Sequence, residues 1–563
     1  MSPTAATAPA ETDRKLEALA RRKKDWLQVP LARRGDYLRS AIDGLLDVAD
    51  EWVVRACAAK GERADSPVAG EEWVSGPMVT VRYLRLLAEA LESGGQPEPG
   101  QWRETASGQR VARVFPRGFY DRLPYPGIDA EVWIEPNKPA SQGRVYSATR
   151  AENGVPGRVG LVLGAGNVGS IVPTDLLYKV FVEDQVALVK MNPVNEYLGP
   201  LLASAFGALV DDGFLDFVYG DARLGGHLCQ HPLVEAIHLT GSEQTFEAIV
   251  WGGDVAERAR RKRSGRPLVD KPVSAELGCV TPVIVVPGRW SLEEMRYQAR
   301  HVASMVAHNA SFNCNAAKVL LLCSSWYLKQ AFVDAVAEAL AEIAPRRAYY
   351  PGAVARYRTF LEHYPTAQAL GQRADGVVPW TLIRSVPAQP GEYALQTEAF
   401  CGVLAEVALD AGGSADPQAF LDAAVEFVNQ NVRGTLSCAL LACSETQEQL
   451  RDGLEQALTA LRYGAIGVNV WPGVVFGLGV TSWGAFPGHR IEEIGSGLGV
   501  VHNALLFDHP QRSVVRAPFR MPFTPPWFAD HRNLIALGRK ITQFEADPSL
   551  RQLPGLLGSA LLG

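Results

Sequence analysis

Hydrophobic and polar positions change rhythm twice along the chain. From residue 13 to about 95 the apolar residues recur at helical spacing: Leu16, Leu19 and Trp26 form one stripe, and a second helix is expected from Arg34 to about Arg55. Residues 96–130 are rich in Gly and Pro and predict irregular chain. Glu131-Val132-Trp133-Ile134-Glu135 then alternates as a strand does, and 137–157 returns to loop. From 158 onward short apolar runs alternate with helical ones. Strands are expected at 158–163, 186–190, 215–219 and 234–240, with helices to about Val182, over 196–211 and over 243–250. That alternation predicts a parallel sheet with helices on both faces. Ligands of such sheets gather at the carboxyl ends of the strands, and Asn167, Lys190, Gly220 and Gly241 all fall there.

A second unit of the same kind starts near 280. Val280–Val286 reads as a strand, and Ser291-Leu292-Glu293-Glu294 is a capping box that opens a helix to about His308. Strand 319–323, helix 325–344, an irregular stretch 345–395 and a helix over 446–462 ending at Gly464 follow. The Gly- and aromatic-rich run Trp471 to Gly488 is expected to line a cleft. Residues 510–563 are Pro-rich, then helical, then apolar.

Composition narrows the picture. The chain has 563 residues, 47% hydrophobic and 21% charged, which fits more than one globular domain. A net charge of −6 gives no electrostatic reason to expect nucleic acid or an anionic membrane as partner. No apolar run reaches the ~18 residues of a membrane span, and no secretory signal is visible. The eight cysteines include no CxxC pair and read as reduced thiols of a cytoplasmic protein. Ten histidines are scattered without ligand-like spacing, so no catalytic metal is expected.

The candidate chemistry centres on His308-Asn309-Ala310-Ser311-Phe312-Asn313-Cys314, which lies between a helix and a buried strand. Glu276 lies upstream, and a cysteine with a distant carboxylate suits covalent catalysis with a separate base. A Gly164-x-Gly166-x-x-Gly169 run fits the dinucleotide fingerprint. Its nearby acids, Glu183 and Asp184, precede the second strand instead of ending it, where a ribose partner belongs. The strand end carries Lys190.

Six short motifs in register, Gly166-Asn167, Val189-Lys190, Leu239-Thr240-Gly241-Ser242, Glu276-Leu277-Gly278, Asn313-Cys314 and Glu398-x-Phe400-x-Gly402, resemble the aldehyde dehydrogenase superfamily over roughly 140–510. The resemblance implies an α/β protein with a Rossmann-like parallel-sheet cofactor domain (13–125 and 148–278, with a return near 480–503). It also implies a second α/β catalytic domain (279–475), a small β oligomerisation element (126–147 and 504–530) and a C-terminal tail (531–563). By the same resemblance Cys314 is the nucleophile, Asn167 the oxyanion donor and Glu276 the base. Lys190, Gly220, Gly241, Ser242, Leu277, Glu398 and Phe400 then surround NAD or NADP. The position three after Lys190, often a NAD-selecting Glu, is Pro193, which leaves the choice of cofactor open. The implied reaction is aldehyde to carboxylate. The acyl-reductase branch, working with CoA or a carrier protein, is the alternative suggested by Gly166-Asn167-Val168, and a non-catalytic scaffold is a third. Phe312, Trp471, Val475 and Phe476 suggest an apolar or aromatic aldehyde, and a homodimer or homotetramer is expected.

Overall fold

The structure, a computed structural model, describes residues 4–147, 156–372 and 376–563. Two sheets organise it. The first has six strands in the order Gly497–Leu498, Val273–Glu276, Ala236–Thr240, Val159–Leu163, Val186–Lys190 and Leu215–Val218. All run parallel except Gly497–Leu498, which pairs antiparallel with Val273–Glu276 and sets Gly497 opposite Glu276. The three central strands are buried along their whole length, as the unbroken apolar runs require of a sheet covered on both faces.

The second sheet has eleven strands. Its parallel centre contains Ser437–Leu441, Thr281–Val285, Ala317–Cys323 and Val403–Leu409 in that order. Asp129–Ile134 and Pro510–Arg516, expected as a separate small element, are built into this sheet. Pro510–Arg516 runs parallel to Ala465–Val468 and antiparallel to Asp129–Ile134. The stretch 96–130, expected to be irregular, contains two further strands, Gln101–Glu104 and Arg110–Phe115, at the edge of the same sheet. They therefore lie with the second sheet, although the sequence assigns 13–125 to the first unit. Few of their residues are strongly β-forming. Pairing is supplied by neighbours instead, including a two-point contact of Arg103 with Glu131 at 2.7 and 2.8 Å. The stretch 345–395 likewise holds helix Ala353–His363 and strand Trp380–Val386, which becomes a strand by pairing parallel with Val403–Leu409.

Helices Pro9–Gln28, Leu31–Lys60 and Val79–Glu92 pack over the first sheet through Leu16, Leu19, Trp26 and their neighbours. The third glycine of the GxGxxG run serves this packing: a Cβ at Gly169 would come within 2.9 Å of the Trp52 indole nitrogen. Asp184 is held by Arg34 at 2.6 Å, so that acid is structural. The capping box at Ser291 forms as expected. The tail 531–563 consists of two helices, Leu534–Ala546 and Leu553–Leu561, with a small core of their own.

Leu321 lies fully buried mid-strand between two parallel neighbours. Leu321→Ala is expected to cost roughly 2–5 kcal/mol, seen as a lower urea midpoint in circular dichroism.

Candidate active site

The three residues expected to carry the chemistry line one cavity. Cys314, Glu276 and Asn167 all line an apolar space of about 110 Å³, with Trp471, Phe476 and Trp483 among its walls. The Cys314 thiol donates to Glu276 Oε1 at 3.2 Å. Glu276 comes from the carboxyl end of Val273–Glu276, Asn167 from the turn after Val159–Leu163, and Cys314 from the turn before Ala317–Cys323. The cleft between the two sheets thus receives one group from each of three loops.

The turn carrying the cysteine is strained. Asn309, Ala310 and Ser311 have φ of 53°, 54° and 68°, three successive left-handed residues without a glycine. Each costs roughly 1–2 kcal/mol, so surrounding contacts must hold the turn. Asn309 is the hub. Its amide nitrogen reaches Asn167 O at 2.9 Å, Phe312 O at 3.1 Å and Asn313 Oδ1 at 3.1 Å. Its backbone N–H donates to Glu71 Oε2 at 2.9 Å, and its Oδ1 accepts from Lys60 at 2.9 Å. Tyr349 OH lies 2.9 Å from the same Oδ1 and 3.1 Å from Asn167 O. Lys60 pairs with Glu72 at 2.6 Å and Arg346 with Glu71 at 3.2 Å, all four nearly out of solvent. Burial alone would raise Glu71, but Arg346, His308 and the Asn309 N–H bring its carboxyl down to about 2.

Electrostatics around the thiol oppose its ionisation. Burial, then the charge and hydrogen bond of Glu276, then Glu398, push Cys314 well above an ordinary thiol. Burial and the nearby Asp175 push Glu276 up to about 7, while the Trp483 indole and the Cys314 thiol pull the other way. Lys318 is the cation behind the turn. It is 3% exposed and donates to Asn313 O and Ala316 O, both at 3.0 Å. Burial lowers Lys318; Glu398 and Cys314 favour its charge.

Asn167 donates to Phe312 O at 2.9 Å, and its second N–H has no partner among the described residues. Lys190 ends the Val186–Lys190 strand, 7% exposed, its ammonium without a hydrogen bond among the described residues. Gly220 follows Leu215–Val218, and Gly241 follows Ala236–Thr240 at the surface. Ser242 caps helix Glu243–Val250 by accepting the Thr245 N–H at 3.2 Å. Leu277 is buried, with its N–H on Ser496 O at 2.9 Å. Glu398 reaches across from the second unit and fits only because residue 278 is glycine: a Cβ there would sit 1.8 Å from its Oε2. Its Oε1 is buried without a partner, and burial raises its carboxyl against the pull of Lys318. Phe400 stacks edge-on to Tyr350 at 5.0 Å. Phe312 packs on that same aromatic cluster and Val475 is core, so of the four residues expected at an apolar entrance only Trp471 and Phe476 line the cavity.

Several participants carry no local signal in the sequence. Asp175 accepts from Thr240 at 2.7 Å, and His238 bridges Thr240 at 3.1 Å and Ser274 at 2.9 Å, a buried polar chain beside Glu276. Asn309 stands within the cysteine motif but its side chain also finds partners in distant segments, whereas Lys318 donates to carbonyls of the motif itself. Among the described residues, Asp13, His227 and His231 are grouped as metal ligands are. His231 Nδ1 accepts the Leu233 N–H at 3.2 Å, which leaves the ring proton on Nε2, facing Asp13, where a ligand needs a lone pair.

A thiol and a carboxylate thus stand opposed in an apolar cleft, beside a sheet one of whose strands ends in Lys190, which has no hydrogen bond among the described residues. Residues 185–352 of the 563 match the family described as "Aldehyde dehydrogenase family". No curated protein matches its sequence. Among solved structures it is similar to the NADP-dependent glyceraldehyde-3-phosphate dehydrogenase of Bacillus halodurans (17% identity, 91% of this chain and 92% of that one, TM-score 0.58). It is similar also to P. syringae AldA indole-3-acetaldehyde dehydrogenase (16%, 91% and 90%, TM-score 0.60). A third is aldehyde dehydrogenase 21 of Physcomitrella patens (13%, 91% and 90%, TM-score 0.62). At these identities the likeness is one of fold.

Because the Glu276 charge raises the thiol, Glu276→Gln is expected to move the pH midpoint of Cys314 alkylation by iodoacetamide downward. Mass spectrometry of the Cys314 peptide reads it, and a midpoint that stays or rises contradicts the electrostatic assignment.

Proposed function

We propose that the chain oxidises an aldehyde to a carboxylate with NAD or NADP, using Cys314 as nucleophile, Glu276 as base and Asn167 as oxyanion donor. The observation that carries this reading is the 3.2 Å contact of the Cys314 thiol with Glu276 in a cavity that Asn167 also lines. The Cys314 thiol loses its proton to solvent as the sulfur forms a bond to the carbonyl carbon, giving a thiohemiacetal. The free N–H of Asn167 holds the developing oxyanion, a role typically worth on the order of 3–4 kcal/mol of barrier. A nicotinamide cofactor held by Lys190 and Glu398 would supply the hydride acceptor that turns the thiohemiacetal into a thioester on Cys314. Glu276 then takes a proton from water as its oxygen attacks the thioester carbon. The carbon–sulfur bond breaks, and the carboxylate is released.

Residues at the strand ends fit such a cofactor. Lys190 is an almost buried ammonium without a hydrogen bond among the described residues, and Glu398 Oε1 is a buried carboxylate oxygen without a partner. Hydroxyls of two riboses would satisfy both. Gly220, Gly241, Ser242 and Leu277 would line the nucleotide path, and Phe400 would wall the nicotinamide end. Pro193 puts no carboxylate at that position, although Asp221 and Glu196 lie near enough to Lys190 to favour its charge, so both NAD and NADP stay open.

No Lys or Arg lines the cavity, and burying an anionic substrate group there unpaired costs several kcal/mol. Neutral apolar or aromatic aldehydes fit its Trp471, Phe476 and Trp483 walls. Retention of Glu276 favours hydrolysis over transfer to CoA or a carrier.

Turnover of an aldehyde panel with NAD or NADP is expected without CoA, followed as reduced cofactor at 340 nm; strict dependence on CoA would establish the acyl-transfer alternative. Cys314→Ala is expected to abolish turnover, while Glu276→Gln gives a burst of one reduced cofactor per site and then stalls. A normal steady state in Glu276→Gln removes the base assignment. With Glu276 raised to about 7, the deacylation rate is expected to climb as pH rises through 7, where the carboxylate ionises, and then level off.

A further inference from the structure

The C-terminal segment reaches the substrate cavity. Pro526 and Trp527 line the same space as Cys314 and Glu276, and Trp527 is 9% exposed. Nothing in the catalytic scheme above uses them; the sequence places them in the expected oligomerisation element 504–530 and offers no role for 531–563.

This arm is fastened to two opposite walls. On the nucleophile side it lies along helix Leu292–Ala307, which runs directly into the cysteine turn. There the Ala529 N–H donates to Ser304 Oγ at 2.9 Å, Arg300 donates to Asp530 at 2.6 Å, and Phe528 stacks on His301 at 5.1 Å and 18°. On the other side Leu537, Ile541 and Phe544 form a small core with Met78 and Val79, themselves cavity residues. Glu545 completes the attachment. Fully buried, it accepts from Arg82 at 2.7 Å and from Arg85 at 2.6 Å. Arg82 also donates to Leu478 O at 2.8 Å, and Tyr125 OH donates to Glu545 at 3.3 Å; both Leu478 and Tyr125 line the cavity. Burial would lower Arg82 and raise Glu545, but each is held in its charged form by the other.

We propose that residues 517–563 are an intramolecular specificity wall of the aldehyde site. Trp527 limits the size of the side chain that can occupy it, and the Arg82–Glu545 pair latches the wall in place. The inference takes its substrate from the proposed aldehyde oxidation, but the wall itself is a statement about access to Cys314. A cavity of about 110 Å³ with a tryptophan in its boundary selects compact apolar aldehydes. A difference of one methylene in a hydrophobic pocket is worth 10–200-fold, so removing an indole should change the ranking of substrates measurably.

The test compares two ratios in the full-length wild type and in Trp527→Ala. The first is kcat/KM for octanal over that for propanal. The second needs no turnover: the rate of Cys314 alkylation by N-octyl iodoacetamide over that by iodoacetamide, read on the Cys314 peptide. The other seven cysteines are buried and compete little. Both ratios are expected to rise at least 10-fold in Trp527→Ala, and in the same direction by a smaller factor in Glu545→Gln, whose latch is weakened. If Trp527→Ala does not fold, Trp527→Leu gives the same comparison. Unchanged ratios in a folded variant overturn the wall. A raised alkylation ratio in a protein that oxidises no aldehyde keeps the wall and removes the reaction.

Discussion

Burial of a thiol and a carboxylate side by side is the constraint on which the rest of the site depends. In water neither group needs help. In the cleft, where apolar walls surround Cys314 and Glu276 at 3.2 Å, ionising either one is unfavourable, and the charge of one raises the other. That arrangement pushes the Glu276 carboxyl up to about 7, a protonation equilibrium near neutrality.

Holding that pair in register requires the strained turn at Asn309–Ser311. Three left-handed residues in succession are stable only because Asn309 joins the turn to the Asn167 loop, while Glu71, Lys60 and Tyr349 hold Asn309 from the far side. The buried charges Lys60, Glu72, Glu71 and Arg346 belong to the N-terminal helices and to the loop after helix Lys329–Glu342. The N-terminal helical layer thus does more than cover the first sheet: it supplies the donors and acceptors that fix the nucleophile. Lys318, behind the turn, fastens two of its carbonyls with one ammonium.

Much of this was legible in the sequence because local signals and tertiary demands agree. Unbroken runs such as Val159–Leu163 and Val186–Lys190 can only be strands buried on both faces, and their carboxyl ends locate Asn167 and Lys190 before any coordinates do. The capping box at Ser291 marks a helix start by chemistry contained within four residues. Where the reading missed, the missing information was held elsewhere in the chain. Gln101–Glu104 and Arg110–Phe115 are strands because Asp129–Ile134 lies beside them. Phe312, next but one to Cys314, packs on the Tyr350 and Phe400 rings instead of lining the cavity, and both rings come from segments distant in the chain.

The sequence by itself determined the alternation of strands and helices and the strand ends, and it singled out a thiol, an amide and an acid that line one cavity. Those follow from periodicity and from residue types that few other chemistries require. Only the tertiary structure decided that the expected β element joins the second sheet, that Asn309 is the joint between the two halves of the site, and that the C-terminal arm closes the cavity with Trp527. The physical reason is the same in each case. A contact between segments hundreds of residues apart leaves no periodic trace in either one, because packing and hydrogen bonding act through space, whereas helical and strand periodicities act along the chain.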